Sequence, residues 1–504
     1  MTKKYLNKIL NARVYDVARE TPLEDANNMS QRLGNRVLIK REDLQPIFSF
    51  KVRGAYNKLI CLSEEDRAKG VIAASAGNHA QGVALSAQKL GVRATIVMPE
   101  TTPEIKVQSV VKWGPEIILH GDDFQEAYAR AMEISVDRNL TFVHPYDDPD
   151  VIAGQGTVGM EILRQHMGDI YAIFIPVGGG GLLSGIGAYV KAVRPEVKII
   201  GVEPEDAASM SQSLQKKRRV TLDQVGIFAD GVAVAQVGKE TFRIAREVVD
   251  DMVLNSVDEI CAAVKDIFED TRSIAEPAGA IALAGLKKYA VAHGLKDKTL
   301  IAINSGANIN FDRLRHVSER AEIGENRESL FAVTIPEKRG SFRKLCNILG
   351  KRSVTEFNYR YADEGAAQIF LGLRVGSSGK EHDTIMKALG KNGYSVVDLS
   401  DNDTAKLHIR YMVGGRPPSI KNEVIYRFEF PERPGALLNF LNHMGERWNI
   451  SLFHYRNHGA AFGRVLCGMQ VTESDAKQFQ AFLDKLGYNY WLETENPVYK
   501  TFLN

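Results

Sequence analysis

The chain has 504 residues, 44% apolar and 25% charged, with a formal net charge of +2. That length predicts about three domains, and the composition is that of a soluble globular protein. The near-neutral charge excludes the electrostatic footprint of a nucleic-acid or anionic-membrane binder, and no stretch nears the roughly 18 consecutive apolar residues of a membrane span.

Residues 1–10 carry lysines within an apolar period and read as a helix rather than a signal peptide. A short strand over 36–40 then runs into charged residues, Pro46, and a lysine set between apolar neighbours, Phe50-Lys51-Val52, at the opening of a helix. Phe50 and Val52 are expected to desolvate the Lys51 ammonium and favour its neutral, nucleophilic form. A lysine beside Phe at a helix start is equally compatible with a snorkelling surface residue. Beyond it, strands over 71–74, 94–98, 116–119 and 141–143 alternate with helices over 81–90, 103–113 and 124–138. Helix 159–166, strand 170–177, helix 182–193 and strand 198–202 follow. Helices over 241–249, 257–271 and 278–289 precede a strand over 299–304. This alternation predicts βαβ units and largely parallel sheets. Some 300 residues of it exceed one ordinary sheet, so two α/β lobes are expected within a domain of residues 1–317.

The charged, weakly apolar segment 318–328 reads as a linker. Beyond it lies an internal repeat. Val333-Thr-Ile-Pro-Glu-Lys-Arg-Gly-Ser-Phe-Arg-Lys-Leu345 matches Phe428-Glu-Phe-Pro-Glu-Arg-Pro-Gly-Ala-Leu-Leu-Asn-Phe440. Thr355-Glu-Phe-Asn-Tyr-Arg360 matches Ser451-Leu-Phe-His-Tyr-Arg456, and two Gly-Tyr segments ending at Tyr394 and Tyr488 also correspond. The copies, 329–401 and 424–496 around a connector of 402–423, each run in the βαββαβ order of a ferredoxin-like α+β module. Such a pair serves either sensing or oligomerisation. Phe342 follows the turn of the first copy, and the following strands carry Phe357 with Tyr359 and Phe453 with Tyr455. Alternate residues share a strand face, so each pair lines either an apolar slot at the interface between the copies or ordinary core. The four cysteines, Cys61, Cys261, Cys346 and Cys467, are far apart and without metal-ligand spacing, which predicts reduced thiols in a cytoplasmic protein.

Three stretches sharpen the reading of Lys51. Ser75-Ala76-Gly77-Asn78-His79 lies between a strand and a helix. It is either an anion site made of open backbone N–H groups or a tight connection with an Asn cap. His79 reads as a structural imidazole rather than a base. Gly178-Gly179-Gly180-Gly181-Leu182 follows an apolar strand and opens a helix, where backbone can wrap a phosphate. It fits neither the Walker nor the dinucleotide pattern, so a phosphate on a non-nucleotide cofactor is expected. Ser305, in Asn304-Ser-Gly-Ala-Asn308, ends a strand at the edge where α/β sheets present ligand groups.

Ser-Phe-Lys-x-Arg-Gly-Ala, Ser-Ala-Gly-Asn-His-Ala-Gln-Gly, Gly-Gly-Gly-Gly-Leu and Ser-Gly-Ala-Asn, in this order, resemble fold-type II pyridoxal-phosphate enzymes, the tryptophan synthase β-like fold. More closely, nearly the whole chain resembles the biosynthetic threonine deaminases (threonine ammonia-lyases), through segments such as Ser353-Val-Thr-Glu-Phe-Asn-Tyr-Arg360 and Val413-Gly-Gly-Arg-Pro417. The tandem ACT-like repeat separates this family from degradative threonine dehydratases and serine racemases. The resemblance implies pyridoxal 5'-phosphate on Lys51 as the Schiff-base lysine, Asn78 facing the ring hydroxyl, residues 178–182 cradling the phosphate and Ser305 partnering the pyridine nitrogen. It implies that residues 75–79 hold the substrate carboxylate. Glu203 matches a metal-binding Glu of serine racemases, but Ser209 stands where their Asp would be, so no metal is expected. The reaction implied is β-elimination from L-threonine, with L-serine secondary, to 2-oxobutanoate and ammonia. Inhibition by L-isoleucine, relief by L-valine and a homotetramer are implied with it. A serine/threonine dehydratase or β-replacing synthase of the same fold, and a non-catalytic amino-acid sensor, are the competing readings.

Overall fold

The computed structural model describes residues 2–324, 328–336, 341–350, 352, 354–361, 366–375, 380–409, 422–431, 436–444, 447–448, 450–456 and 461–502. The chain divides into two units, Met1–Val317 and Ser318–Asn504. The strands of the first unit are β1 (Leu23–Asp25), β2 (Arg36–Arg41), β3 (Val71–Ala74), β4 (Ala94–Met98), β5 (Glu116–Leu119), β6 (Thr141–Phe142), β7 (Ala172–Pro176), β8 (Lys198–Pro204), β9 (Asp251–Asn255) and β10 (Thr299–Asn304). They form one sheet in the order β1-β2-β10-β7-β8-β9 and another in the order β5-β4-β3-β6. Only β1 pairs antiparallel, against β2; the other pairings are parallel. β3 and β7 are buried along their whole length, as expected where helices cover both faces of a parallel sheet.

Two strands, β1 and β9, are absent from the sequence-based reading. They lie at the two edges of the six-stranded sheet; β1 is three residues with two acids, and β9 has only Met252-Val253-Leu254 between Asp251 and Asn255. An edge strand pairs on one side only and tolerates charge on the other. The helix expected over 159–166 in fact spans Pro149–Gln165, with the Asp148 carboxylate capping it by accepting from Asp150 N and Val151 N. Its glycines made the first half look like a loop. A side chain at Gly154 would meet the Arg53 carbonyl at 2.6 Å and Gly54 Cα at 2.7 Å. Glycine here lets this helix cross closely over helix Lys51–Cys61, which carries Lys51.

Beneath that crossing lies a buried charge network. The Arg53 guanidinium donates to both Glu42 oxygens, at 2.7 Å each, and to Glu161 at 2.5 and 2.9 Å. The Lys40 ammonium donates to Glu161 at 2.6 Å and to the Thr21 carbonyl at 2.5 Å. Two cations thus face two carboxylates with all four side chains out of water. Removing any one strands a buried charge, a loss of roughly 3–5 kcal/mol.

In the second unit β11 (Glu328–Pro336), β12 (Val354–Tyr361), β13 (Ala366–Arg374) and β14 (Ser395–Asp398) form an antiparallel sheet in the order β12-β13-β11-β14. The second copy repeats this with β15 (Glu423–Pro431), β16 (Ile450–Arg456), β17 (Phe462–Gln470) and β18 (Asn489–Leu492), in the order β16-β17-β15-β18. A register shift recurs at the same place in both, between Val354 and Glu356 and between Ile450 and Leu452. Alternate residues of β11 enter different cores. Phe331 and Val333 pack within the first copy, while Leu330 and Ala332 join Phe370, Ile425, Leu466 and Val498 in a cluster shared by the copies. Phe357 and Tyr359 pair in register with Leu371 and Ile369, and Phe453 and Tyr455 with Cys467 and Val465. Those partners belong to each copy's own core, not to the shared cluster. The side chains of Phe342, Phe357, Tyr359, Phe453 and Tyr455 lie outside the described residues. Among the described residues, no helix is long and apolar enough to cross a membrane.

Candidate active site

Three loops at the carboxyl ends of strands are tied to the Lys51 region: residues 75–79 after β3, 178–182 after β7 and 305–308 after β10. This is the edge at which open α/β sheets gather ligand groups. His79 of the first loop feels the Lys51 charge, Gly179 of the second meets Tyr146 beside the Pro145 carbonyl on the Lys51 amine, and the Ser305 carbonyl of the third accepts from Phe50 N. Lys51 is the first residue of helix Lys51–Cys61, and its amine donates to the Pro145 carbonyl at 2.9 Å. Burial pushes its pKa down to about 8, the charge of Glu276 opposing in part. The Phe50 ring centroid lies 5.4 Å from the amine. Val52 does not share in this, contrary to the sequence-based expectation. It is buried in a separate cluster with Val14, Ala18 and Ile47, because consecutive helical residues point apart.

The helix after β3 begins at Asn78, three residues earlier than its apolar period suggested. Gly77 occupies the cap position without a side-chain cap, so Asn78 is not an Asn cap. Its amide instead donates to Glu276 Oε1 at 2.7 Å and accepts from Asn308 Nδ2 at 2.6 Å. The first N–H groups of this helix stay open, and a carbon built on Gly77 meets nothing within 4 Å. A carboxylate fits there. Ser75 contributes its Oγ as acceptor from Gly77 N at 3.3 Å. His79 is buried, its Nε2 donating to the Val143 carbonyl at 2.9 Å. Burial, then the nearby Lys51 charge, lower its pKa to about 3. It is a neutral structural imidazole.

The glycine run ends in helix Gly181–Val193, whose first acceptor is the Gly180 carbonyl, bonded by Ser184 N at 2.9 Å. The N–H groups of Gly181, Leu182 and Leu183 therefore have no partner within the helix, which suits a phosphate. The Leu182 side chain is buried in the core, so only its backbone can serve an anion. Gly180 sits at φ 92°, and a side chain there would also press on Met210 and Thr241. Gly179 is excluded from bearing a side chain for another reason: its Cβ would overlap the Tyr146 ring. The Gly179 carbonyl is fixed by Thr241 Oγ1 at 2.6 Å. Ser305 Oγ donates to the Ala278 carbonyl at 3.2 Å, and its own carbonyl accepts from Phe50 N at 3.2 Å, joining this loop to Lys51.

Several residues of the site were not singled out by sequence. Segment 144–147 supplies the Pro145 carbonyl to Lys51 and the Tyr146 ring to Gly179; His144 Nδ1 shapes it by accepting from Tyr146 N at 3.2 Å and Asp147 N at 2.8 Å. The Asp147 carboxylate caps helix Lys239–Val248. The available signal was its position just beyond β6. Glu276 is buried beside Asn78 and pushed up to about 7, first by desolvation and then by Asp230. Asn308 lies in the Ser-Gly-Ala-Asn motif but was given no role. Glu203, at the carboxyl end of β8, accepts from Met210 N and Ser211 N at 2.8 Å each and is raised to about 8 by burial. Ser209, named with Glu203 in the sequence for the metal question alone, is buried at the start of helix Ser209–Gln215.

Comparison with known proteins identifies the family of the chain. Residues 14–306 match the family of pyridoxal-phosphate-dependent enzymes, and residues 319–409 and 414–503 each match the C-terminal regulatory domain of threonine dehydratase. The chain is 57% identical to the biosynthetic L-threonine dehydratase of Burkholderia multivorans, over 99% of both chains. It is 53% identical to that of Escherichia coli, over 99% of this chain and 97% of the relative. Among solved structures it is similar to the processed threonine deaminase isoform 2 of Solanum lycopersicum. That match has a TM-score of 0.63 and 52% identity, covering 64% of this chain and 88% of the other. The enclosed lysine, the two open helix N-termini and the paired regulatory repeats place the chain in the biosynthetic threonine dehydratase family of fold-type II pyridoxal-phosphate enzymes.

Proposed function

We propose that this protein converts L-threonine to 2-oxobutanoate and ammonia, the committed step toward L-isoleucine, under feedback control by L-isoleucine. One observation carries the reading: the Lys51 amine, lowered to about 8, stands among the loops that bear two open helix N-termini. At pH 7 roughly a tenth of such an amine is neutral, against roughly one in three thousand for an ordinary lysine. Its lone pair would hold the cofactor, and the amine, when free, would take the Cα proton of the substrate.

Backbone N–H groups of residues 178–182 would hold the cofactor phosphate, Asn78 the ring oxygen and Ser305 the ring nitrogen. When bound, pyridoxal phosphate supplies the conjugated ring that accepts the electron pair left at Cα. Residues 75–79 hold the substrate carboxylate and so orient the Cα–H bond toward Lys51. A neutral Ser305 brings no negative charge to the ring nitrogen, which favours prompt loss of the β-hydroxyl over reprotonation. The enamine released tautomerises to an imine, and water hydrolyses it.

The regulatory copies bind L-isoleucine and L-valine, with Phe342, Phe357, Tyr359, Phe453 and Tyr455 as the candidate lining. The protein works as a cytoplasmic homotetramer, without nucleic-acid or membrane partners. A second reading, a serine/threonine dehydratase without isoleucine control, draws on 25% identity to an L-serine ammonia-lyase of Rhizomucor miehei over 60% of this chain. The paired regulatory matches weigh against it, and the intact lysine site weighs against a non-catalytic sensor. The test is keto-acid production from L-threonine and from L-serine, with and without L-isoleucine. Production of 2-oxobutanoate that isoleucine suppresses supports the proposal. Pyruvate as the main product, or indifference to isoleucine, overturns it.

A further inference from the structure

The geometry points to Asn308 and Glu276 as positioning residues that lock the Asn78 carboxamide in one of its two flips, so that its N–H side and not its carbonyl is available to the cofactor's ring oxygen. The inference rests on the reading that Asn78 faces that oxygen. The orientation is set from outside the amide pair. The Ile47 carbonyl only accepts, so the Asn308 atom 2.7 Å away is Nδ2. The second hydrogen of that same nitrogen points to Asn78 at 2.6 Å, which makes the facing atom Oδ1. Asn78 Nδ2 is then the atom 2.7 Å from Glu276 Oε1, which accepts from it. One of its two hydrogens goes to Glu276, and the other is the donor that remains.

The Asn308 end fixes this flip, and the Glu276 carboxylate, which only accepts when ionised, reinforces it. Reversing Asn78 would set an amide oxygen against the Glu276 carboxyl and an NH₂ against the NH₂ of Asn308. Glu276 is itself held close, since a side chain at Gly306 would meet its Oε1 at 2.5 Å. The Ile47 carbonyl lies four residues before Lys51, so the lock is anchored in the segment that carries the reactive amine.

An N–H donor stabilises the anionic form of the ring oxygen, so losing the lock favours the neutral hydroxyl form, which absorbs at shorter wavelength. In the holoenzyme, Asn308→Asp removes both donors and drives the reversed flip, whereas Asn308→Leu merely unlocks it. We expect both to move absorbance from the long- to the short-wavelength cofactor band across the pH range, Asn308→Asp the more, and to weaken cofactor binding by the apo-protein roughly tenfold. Glu276→Leu, which deletes the other anchor, provides the same readout should the Asn308 variants not fold. Asn78→Ala is the reference. If it leaves the bands unchanged, the reading of Asn78 beneath this inference is overturned. If Asn78→Ala shifts the bands while the Asn308 and Glu276 variants keep wild-type ratios, the lock itself is overturned.

Discussion

Lys51 and Glu276 show how burial retunes ordinary side chains: the lysine is pushed down to about 8 against the charge of Glu276, and the carboxyl up to about 7 with help from Asp230. Because one amine both attaches the cofactor and removes a proton, Lys51→Ala should fold with wild-type stability but lose the visible cofactor band and essentially all turnover. Absorbance and keto-acid assays on the purified variant check this; more than trace activity would reassign the residue. Glu276 adds a pH effect whose sign follows from linkage. Its folded pKa of about 7 exceeds the unfolded 4.5, so the folded state holds the extra proton between those values. Relative to Glu276→Gln, the native protein is therefore at its most stable below pH 4.5 and loses roughly 2–4 kcal/mol as pH rises through 7. Denaturation midpoints of both proteins from pH 4 to 8.5 measure it, and parallel profiles would count against a raised Glu276. The lysine was marked in the sequence by Phe50 and the helix start; Glu276 was not, because its neighbours Asn78 and Gly306 come from distant segments.

Among the elements, the glycine-marked ones divide into two kinds. Gly179 belongs to a loop whose close neighbour is the Tyr146 ring, so Gly179→Val should weaken cofactor binding while the scaffold survives. Cofactor titration of the apo-protein is the measurement, and unchanged affinity would refute the phosphate cradle. Gly154 serves packing: valine there would collide with the backbone of Arg53 and Gly54 and separate the two helices above the buried charge network. Overpacking at such a crossing should cost roughly 2–4 kcal/mol, read from the denaturant midpoint. The sequence marked Gly179 by its place in a run of four glycines after an apolar strand, whereas nothing around Gly154 marked a helix crossing. Helix Pro149–Gln165 was cut short in the sequence-based reading because Gly154 and Gly156 made its first half look like a loop.

For the whole molecule, the chain's division after Val317 separates the lysine site from the paired regulatory copies. Isoleucine must bind the low-activity state better, and a coupling of roughly 1–3 kcal/mol is ordinary for such control. A chain ending at Val317 should keep Lys51 chemistry and lose isoleucine sensitivity. Activity of the truncated protein across an isoleucine titration decides the matter; full inhibition would place the effector site within residues 1–317.

Local and periodic features were legible from the sequence. The alternation of strands and helices, the tandem βαββαβ copies and the three motifs around Lys51 all depend on short-range chemistry: apolar period, glycine at a close approach, small residues before a helix. What only the tertiary structure decided is which distant groups meet. The Asn78 amide bonding Glu276 and Asn308, the Pro145 carbonyl on the Lys51 amine and the Tyr146 ring on Gly179 join residues from separate loops. The acidic edge strands β1 and β9 likewise form because a neighbouring strand offers its backbone, not because their own sequence calls for it. A pKa, an amide flip and an edge pairing are properties of surroundings, and the surroundings exist only once the chain has folded.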